Sequence, residues 1–191
     1  MRAFLAVEIS DDVKKYLKTI IKSMSMNVDG VKWVKEAGQH ITLKFLGEIE
    51  DEKAWKIKDA ILHIEGKQAP FVVTTKSIDA FPDRRRARVI VITLENGVDN
   101  IKNIYNDIEE SIFTLGIEKE KRPFTPHITL GRKKVSAPIP DKVFGNIDNI
   151  GFVPDSIVLF KSVLRPEGAL YTPVWKIKLI GSKAQTSRQN I

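Results

Sequence analysis

The tetrapeptide His40-Ile41-Thr42-Leu43 recurs as His127-Ile128-Thr129-Leu130. The chain has only three histidines, and two of them head this motif. Ordinary residue frequencies give the three further matches by chance on the order of once in a thousand. In an extended strand, residues i and i+2 share a face. His40 therefore projects with Thr42 and His127 with Thr129, while the Ile and Leu of each copy point the other way, into a core. If the two polar faces meet across one groove, two imidazoles and two hydroxyls surround one ligand. Such a set suits hydrolysis of a phosphodiester. A neutral imidazole takes a proton from attacking water, and a protonated one gives a proton to the departing oxygen. The threonine hydroxyls donate to the non-bridging oxygens, whose charge grows in the transition state.

The elements that must hold these strands follow from apolar spacing. Residues 2–9 read as a short buried strand; Ser10 is an N-cap, Asp11 and Asp12 start a helix, and Val13, Leu17, Ile20, Ile21 and Met24 recur at helical spacing. Strands are predicted over 31–34 and 39–45, the second ending at Gly47, and a helix over 51–65 with Trp55, Ile57, Ile61, Leu62 and Ile64 at its apolar positions. Residues 71–81 and 87–94 read as a hairpin closed by the charged turn 82–86. A third helix, 98–115, stops at Gly116, and Pro123-Phe124-Thr125-Pro126 leads in extended form to a strand over 127–132. Two last strands, 156–164 and 170–180, are joined through Pro166 and Gly168. Several connections are too short for parallel crossovers, so the expected class is α+β, with mixed or antiparallel sheets and helices packed outside. Residues 1–181 are expected to form one domain and residues 182–191 a polar C-terminal tail.

The 31 Lys and Arg against 24 Asp and Glu give a formal charge of +7, which favours an anionic partner. No apolar run approaches the roughly 20 residues that span a bilayer, and residues 1–9 are too short and charged for a secretory signal. No membrane association and a cytoplasmic location are therefore expected. The absence of cysteine removes disulfides, thiolate nucleophiles and thiolate metal sites. The histidines show neither His-x-x-His nor HExxH spacing, and P-loop and Rossmann glycine patterns are missing, so neither a metal nor a cofactor is expected.

In their contexts, His40-Ile41-Thr42-Leu43-Lys44-Phe45-Leu46-Gly47 and Thr125-Pro126-His127-Ile128-Thr129-Leu130-Gly131-Arg132, the two tetrapeptides resemble the paired HxTx motifs of the 2H phosphoesterases. The opening Arg2-Ala3-Phe4-Leu5-Ala6-Val7-Glu8, Trp33, Phe81-Pro82, and Leu159-Phe160-Lys161-Ser162 with Gly168 and Tyr171 resemble the branch of RNA 2′,3′-cyclic phosphodiesterases, or 2′-5′ RNA ligase-like proteins. The likeness covers nearly the whole chain. It implies a bilobal fold with pseudo-two-fold symmetry, in which two antiparallel sheets line a central cleft with helices outside. It also implies metal-independent opening of an RNA 2′,3′-cyclic phosphate end to a 2′-phosphate, with His40 as proton donor, His127 as proton acceptor, and Thr42 and Thr129 on the phosphate. The partner is then RNA with such an end, and no obligate protein partner is inferred.

Phe45 and Arg132 stand five residues after their respective histidines. Plain alternation turns both away from the histidine face. A twist or bulge near Lys44 or Gly131 would bring them back, Phe45 to stack a base and Arg132 to pair with phosphate, a role for which the resemblance also speaks. Alternation places Lys44 on the face of His40, where it would meet RNA phosphate. Arg84, Arg85, Arg86 and Arg88 form the densest basic cluster and are candidates for electrostatic capture of RNA. Trp33, Trp55 and Trp175 read as core residues and His63 as incidental. A non-catalytic RNA-end-binding module and a 2′-5′ RNA ligase, the reverse reaction, are the rival readings.

Overall fold

The structure, a computed structural model, describes residues 1–165 and 168–180. The tail expected over 182–191, and Pro166 in the last turn, lie outside the described residues. Thirteen principal elements follow in order: β1 (Arg2–Glu8), α1 (Asp11–Ser25), β2 (Val31–Trp33), β3 (His40–Glu48), α2 (Asp51–Ile61), β4 (Val73–Phe81), β5 (Ala87–Leu94), α3 (Val98–Phe113), β6 (His127–Ala137), β7 (Gly145–Asn146), β8 (Gly151–Phe152), β9 (Ser156–Arg165) and β10 (Gly168–Lys178). The class is α+β, as expected. Strands pair in the order β10-β9-β1-β3-β6-β5-β4-β7, all antiparallel, with β2 on β6 and β8 on β4.

That order contains a repeat. β3 pairs with β1, which pairs with β9; β6 pairs with β5, which pairs with β4. A helix follows β1 and another follows β5. In place of the two separate antiparallel sheets expected, the described residues form one large antiparallel sheet of two halves, joined where Ile41 of β3 pairs with Ile128 of β6. The motif strands lie side by side at the centre of the molecule.

Local chemistry explains the helices. The Ser10 side chain accepts the Val13 N–H at 3.4 Å, and Asp11 and Asp12 complement the positive end of α1. α3 begins after Gly97, whose φ of +72° and whose position against the Val72 carbonyl, 2.6 Å from where a Cβ would sit, leave room for glycine alone. The helix predicted over 51–65 ends at Ile61 and is followed by one 3₁₀ turn, Leu62–Ile64. Within α2, Ala54, Ile57 and Ile61 face inward, which leaves Trp55 52% exposed; Trp175 is buried as expected and Trp33 is packed against the core.

All three helices cover one face of the sheet. Val13 and Leu17 of α1, Ile57 and Ile61 of α2, and Ile101, Ile104, Ile108 and Ile112 of α3 pack with Leu5, Val7, Ile41, Leu43, Ile90, Ile92, Ile128 and Leu130. Phe4 and Ala6, the alternate residues of β1, join Val158, Phe160 and Tyr171 in a separate cluster on the opposite face. The helices leave that second face uncovered, and it carries the motif histidines.

Candidate active site

Both motif strands break alternation at the same place. In β3, Ala6 faces Thr42 and Leu5 faces Lys44, so Leu43 is an extra residue. In β6, Val91 faces Thr129 and Ile90 faces Gly131, so Leu130 is an extra residue. Each is a β-bulge, and each reverses the faces of the residues beyond it. Burial follows the same course in both copies: His40 and His127 are half-buried, Ile41 and Ile128 buried, Thr42 and Thr129 half-buried, the next two residues buried, and Phe45 and Arg132 exposed. The bulges return Phe45 and Arg132 to the histidine face, the condition on which their candidacy depended.

The reversal has the opposite effect on Lys44. It is not on the histidine face. Its side chain is buried on the helix side, where Nζ is 2.8 Å from Glu109 Oε1 and donates to the Glu118 carbonyl at 2.7 Å. The expectation that Lys44 meets RNA phosphate is corrected accordingly: the bulge at Leu43 puts two successive residues on the core side. The equivalent residue in β6 is Gly131, where a Cβ would lie 2.5 Å from Val31 Cγ1 and 3.0 Å from Trp33 Cε3. Only glycine lets β2 close on β6 there.

His40 lies in an aromatic box. Its ring stacks on Phe4 (centroids 4.8 Å apart) and Phe160 (5.9 Å) and meets Tyr171 edge-on at 5.4 Å. Burial among these rings, then the Arg132 guanidinium and His127, push its pKa down to about 4, against an upward pull from a hydrogen bond to the Gly38 backbone. His127 has a lighter cover. Phe81 meets it edge-on at 5.0 Å, and its Nδ1 donates to the Thr125 carbonyl at 2.7 Å. Burial lowers its pKa; the Thr125 carbonyl draws it back up, and Arg132 lowers it further. A carbonyl can only accept, so Nδ1 carries the proton and Nε2 of the neutral ring is left to take one. In both copies the backbone two residues upstream, Gly38 and Thr125, favours the protonated ring.

Arg132 acts on the charge of both imidazoles, and His127 acts on that of His40. The three groups share one electrostatic neighbourhood. Thr42 and Thr129 project beside their histidines, and neither hydroxyl is engaged by protein among the described residues. Phe45 is 65% exposed, with its ring 6.0 Å from Phe4. Among the described residues no three His, Cys, Asp or Glu side chains converge as a metal site.

Two of the four arginines in the basic cluster are paired within the protein, Arg84 with β4 and Arg86 within its own turn. Arg84 Nε donates to Asp79 at 3.0 Å while its guanidinium covers Phe144, and Arg86 makes two bonds to Asp83 Oδ2, at 3.1 and 3.0 Å. Sequence reasoning missed the box around His40. β1 is apolar on both faces, so alternation gave no sign that Phe4 faces His40 while Leu5 faces the helices.

The family described as "LigT like Phosphoesterase" matches this sequence over residues 7–91 and again over 92–171. One motif falls in each match. The chain belongs to the LigT-like phosphoesterase family. This phosphoesterase is 34% identical over 176 residues to the RNA 2′,3′-cyclic phosphodiesterase of Methanocaldococcus jannaschii, covering 90% of this chain and 96% of that protein. To the RNA 2′,3′-cyclic phosphodiesterase of Thermotoga maritima it is 30% identical over 186 residues, covering 95% and 97%. The crystal structure of TT0787 of Thermus thermophilus superposes with a TM-score of 0.83 at 26% identity, covering 95% of this chain and 100% of that one. No helix among the described residues of the phosphoesterase is long and apolar enough to cross a membrane.

Proposed function

We propose that this LigT-like phosphoesterase hydrolyses the 2′,3′-cyclic phosphate ends of RNA in the cytoplasm to 2′-phosphates, without a metal, through His40 and His127. His127 Nε2 takes a proton from water as the water oxygen bonds to phosphorus. The phosphorus–O3′ bond breaks in line with it, and His40 delivers a proton to O3′. The products are a 2′-phosphomonoester and a free 3′-hydroxyl. Thr42 and Thr129 donate to the two non-bridging oxygens, Arg132 balances their charge, and Phe45 offers a ring to the terminal base.

The observation that carries this reading is that β3 and β6, paired side by side, bulge at the equivalent residues Leu43 and Leu130 and so present His40, Thr42 and Phe45 on one face with His127, Thr129 and Arg132. An empty site disfavours a proton on either imidazole. A bound phosphodiester anion supplies the opposite charge, so substrate and the catalytic proton enter together. The test gives the purified protein a short RNA ending in a 2′,3′-cyclic phosphate, in the presence of EDTA, and determines the position of the phosphate in the product. A 2′-phosphate is expected. A 3′-phosphate, or turnover that EDTA abolishes, overturns the reading.

A further inference from the structure

The two halves of the sheet pair through Ile41 and Ile128, yet a second connection runs behind the sheet. Lys44, in the first motif strand, pairs with Glu109 of α3 at 2.8 Å, and the two residues are 8% and 5% exposed. From there the contacts pass into the segment joining α3 to β6. Lys44 Nζ donates to the Glu118 carbonyl at 2.7 Å, and the other carboxylate oxygen of Glu109 accepts the Glu120 N–H at 2.8 Å. Further along, Phe124 stacks on Tyr105 of α3 with centroids 4.1 Å apart. The segment then reaches Thr125, whose carbonyl holds His127 Nδ1.

We propose that Lys44 and Glu109 are positioning residues for His127: this buried pair, anchored in the strand that bears His40, pins the backbone at 118–120 and so fixes where the segment presents His127. The proposal rests on the catalytic role of His127 put forward above. It explains a charged residue in the buried part of a motif strand. The cost of desolvating a lysine and a glutamate is offset by three polar contacts, all of them to the segment or to each other. Reactive groups must be held closely, since a displacement of about 1 Å can cost 10²-fold in rate.

The test replaces the pair as a unit. Removing one partner strands a buried charge, whereas exchanging both for apolar residues is often neutral or stabilising. Lys44→Met with Glu109→Leu is expected to fold, to keep KM within about threefold, and to lose about 10- to 100-fold in kcat. In ¹⁵N spectra the His127 ring should pass from one tautomer, protonated on Nδ1, to a mixture, while His40 signals stay in place. Lys44→Gln with Glu109→Gln, which retains hydrogen bonding without charge, should restore most of kcat and the single tautomer. If the apolar pair does not fold, Lys44→Met with Glu109→Gln, which loses the contact to Glu118, takes its place with the same expected readings. A folded variant with kcat within about twofold of wild type and His127 still held on Nδ1 overturns the proposal. Should the wild-type protein open no cyclic phosphate, the functional reading falls, and the ring spectra alone decide whether the pair positions His127.

Discussion

The imidazole of His40 lies over the ring of Phe4, with centroids 4.8 Å apart and planes inclined by 28°. Phe4 belongs to β1, and Leu5, beside it, is fully buried against the helices. One short strand thus fastens the core with one face and shields a candidate proton carrier with the other.

That shielding should make the fold sensitive to acid. The His40 pKa of about 4 lies below the 6.5 of an ordinary histidine. Between those values the unfolded chain binds a proton that the folded chain does not. Stability is therefore full above about pH 6.5 and declines as the pH falls toward 4, by on the order of 3 kcal/mol over the whole window. Urea midpoints measured across this range should fall more steeply for wild type than for His40→Phe. Parallel curves would show that burial does not keep the imidazole neutral.

Replacing either imidazole should stop turnover without unfolding the protein. His40→Ala and His127→Ala are each expected to lower kcat by about 10² to 10⁴-fold on a cyclic-phosphate RNA end. Circular dichroism should be unchanged, since both side chains are only half-buried. A variant that retains the wild-type rate refutes the role given to that residue.

Arg132 should have two separable effects. A charged hydrogen bond contributes about 1.5–3 kcal/mol, so Arg132→Met is expected to lose about 10- to 100-fold in kcat/KM. Removing the guanidinium also removes a repulsion felt by both imidazolium forms, so the pKa values of His40 and His127 should rise. NMR titration of the two rings checks the second effect independently of activity. Unmoved titrations would mean that Arg132 points away from the site in solution.

Arg84 and Arg86 of the basic turn after β4 should matter little for RNA. With Arg84 bonded to Asp79 and Arg86 to Asp83, substituting both by Ala is expected to change KM for a cyclic-phosphate oligonucleotide by less than about twofold. The same substitutions should cost up to about 1 kcal/mol per exposed pair in stability. A large rise in KM with a reduced salt slope would instead mark the turn as an RNA contact.

How far the sequence foretold this molecule can be followed residue by residue. The repeated tetrapeptide placed both strands, and alternation put His40 with Thr42 and His127 with Thr129, as found. It stopped at Leu43 and Leu130. A bulge adds one residue to one strand and leaves no compositional mark, so these leucines look like ordinary alternating positions, and Lys44 was assigned to the wrong face. Its partner Glu109 lies far along the chain and nothing local links the two. The pairing of Asp83 with Arg86, by contrast, spans a single turn and was within reach of charge patterning. Trp55 was misread because aromatic content spoke for the core, whereas its angular position on α2 set it beside the inward-facing Ala54 rather than in line with Ile57 and Ile61.

Because the halves duplicate one another, the phosphorus centre of the proposed reaction would meet a ring and a hydroxyl from the left and their near twins from the right. Such a cradle has no inherent sense of up and down. Phe45 and Arg132 stand at matching addresses with unlike chemistry, a neutral plane on one bank and a permanent cation on the other. In the proposed reaction this mismatch, together with the heavier aromatic wall around His40, gives the nucleotide a heading and so decides which ribose oxygen departs.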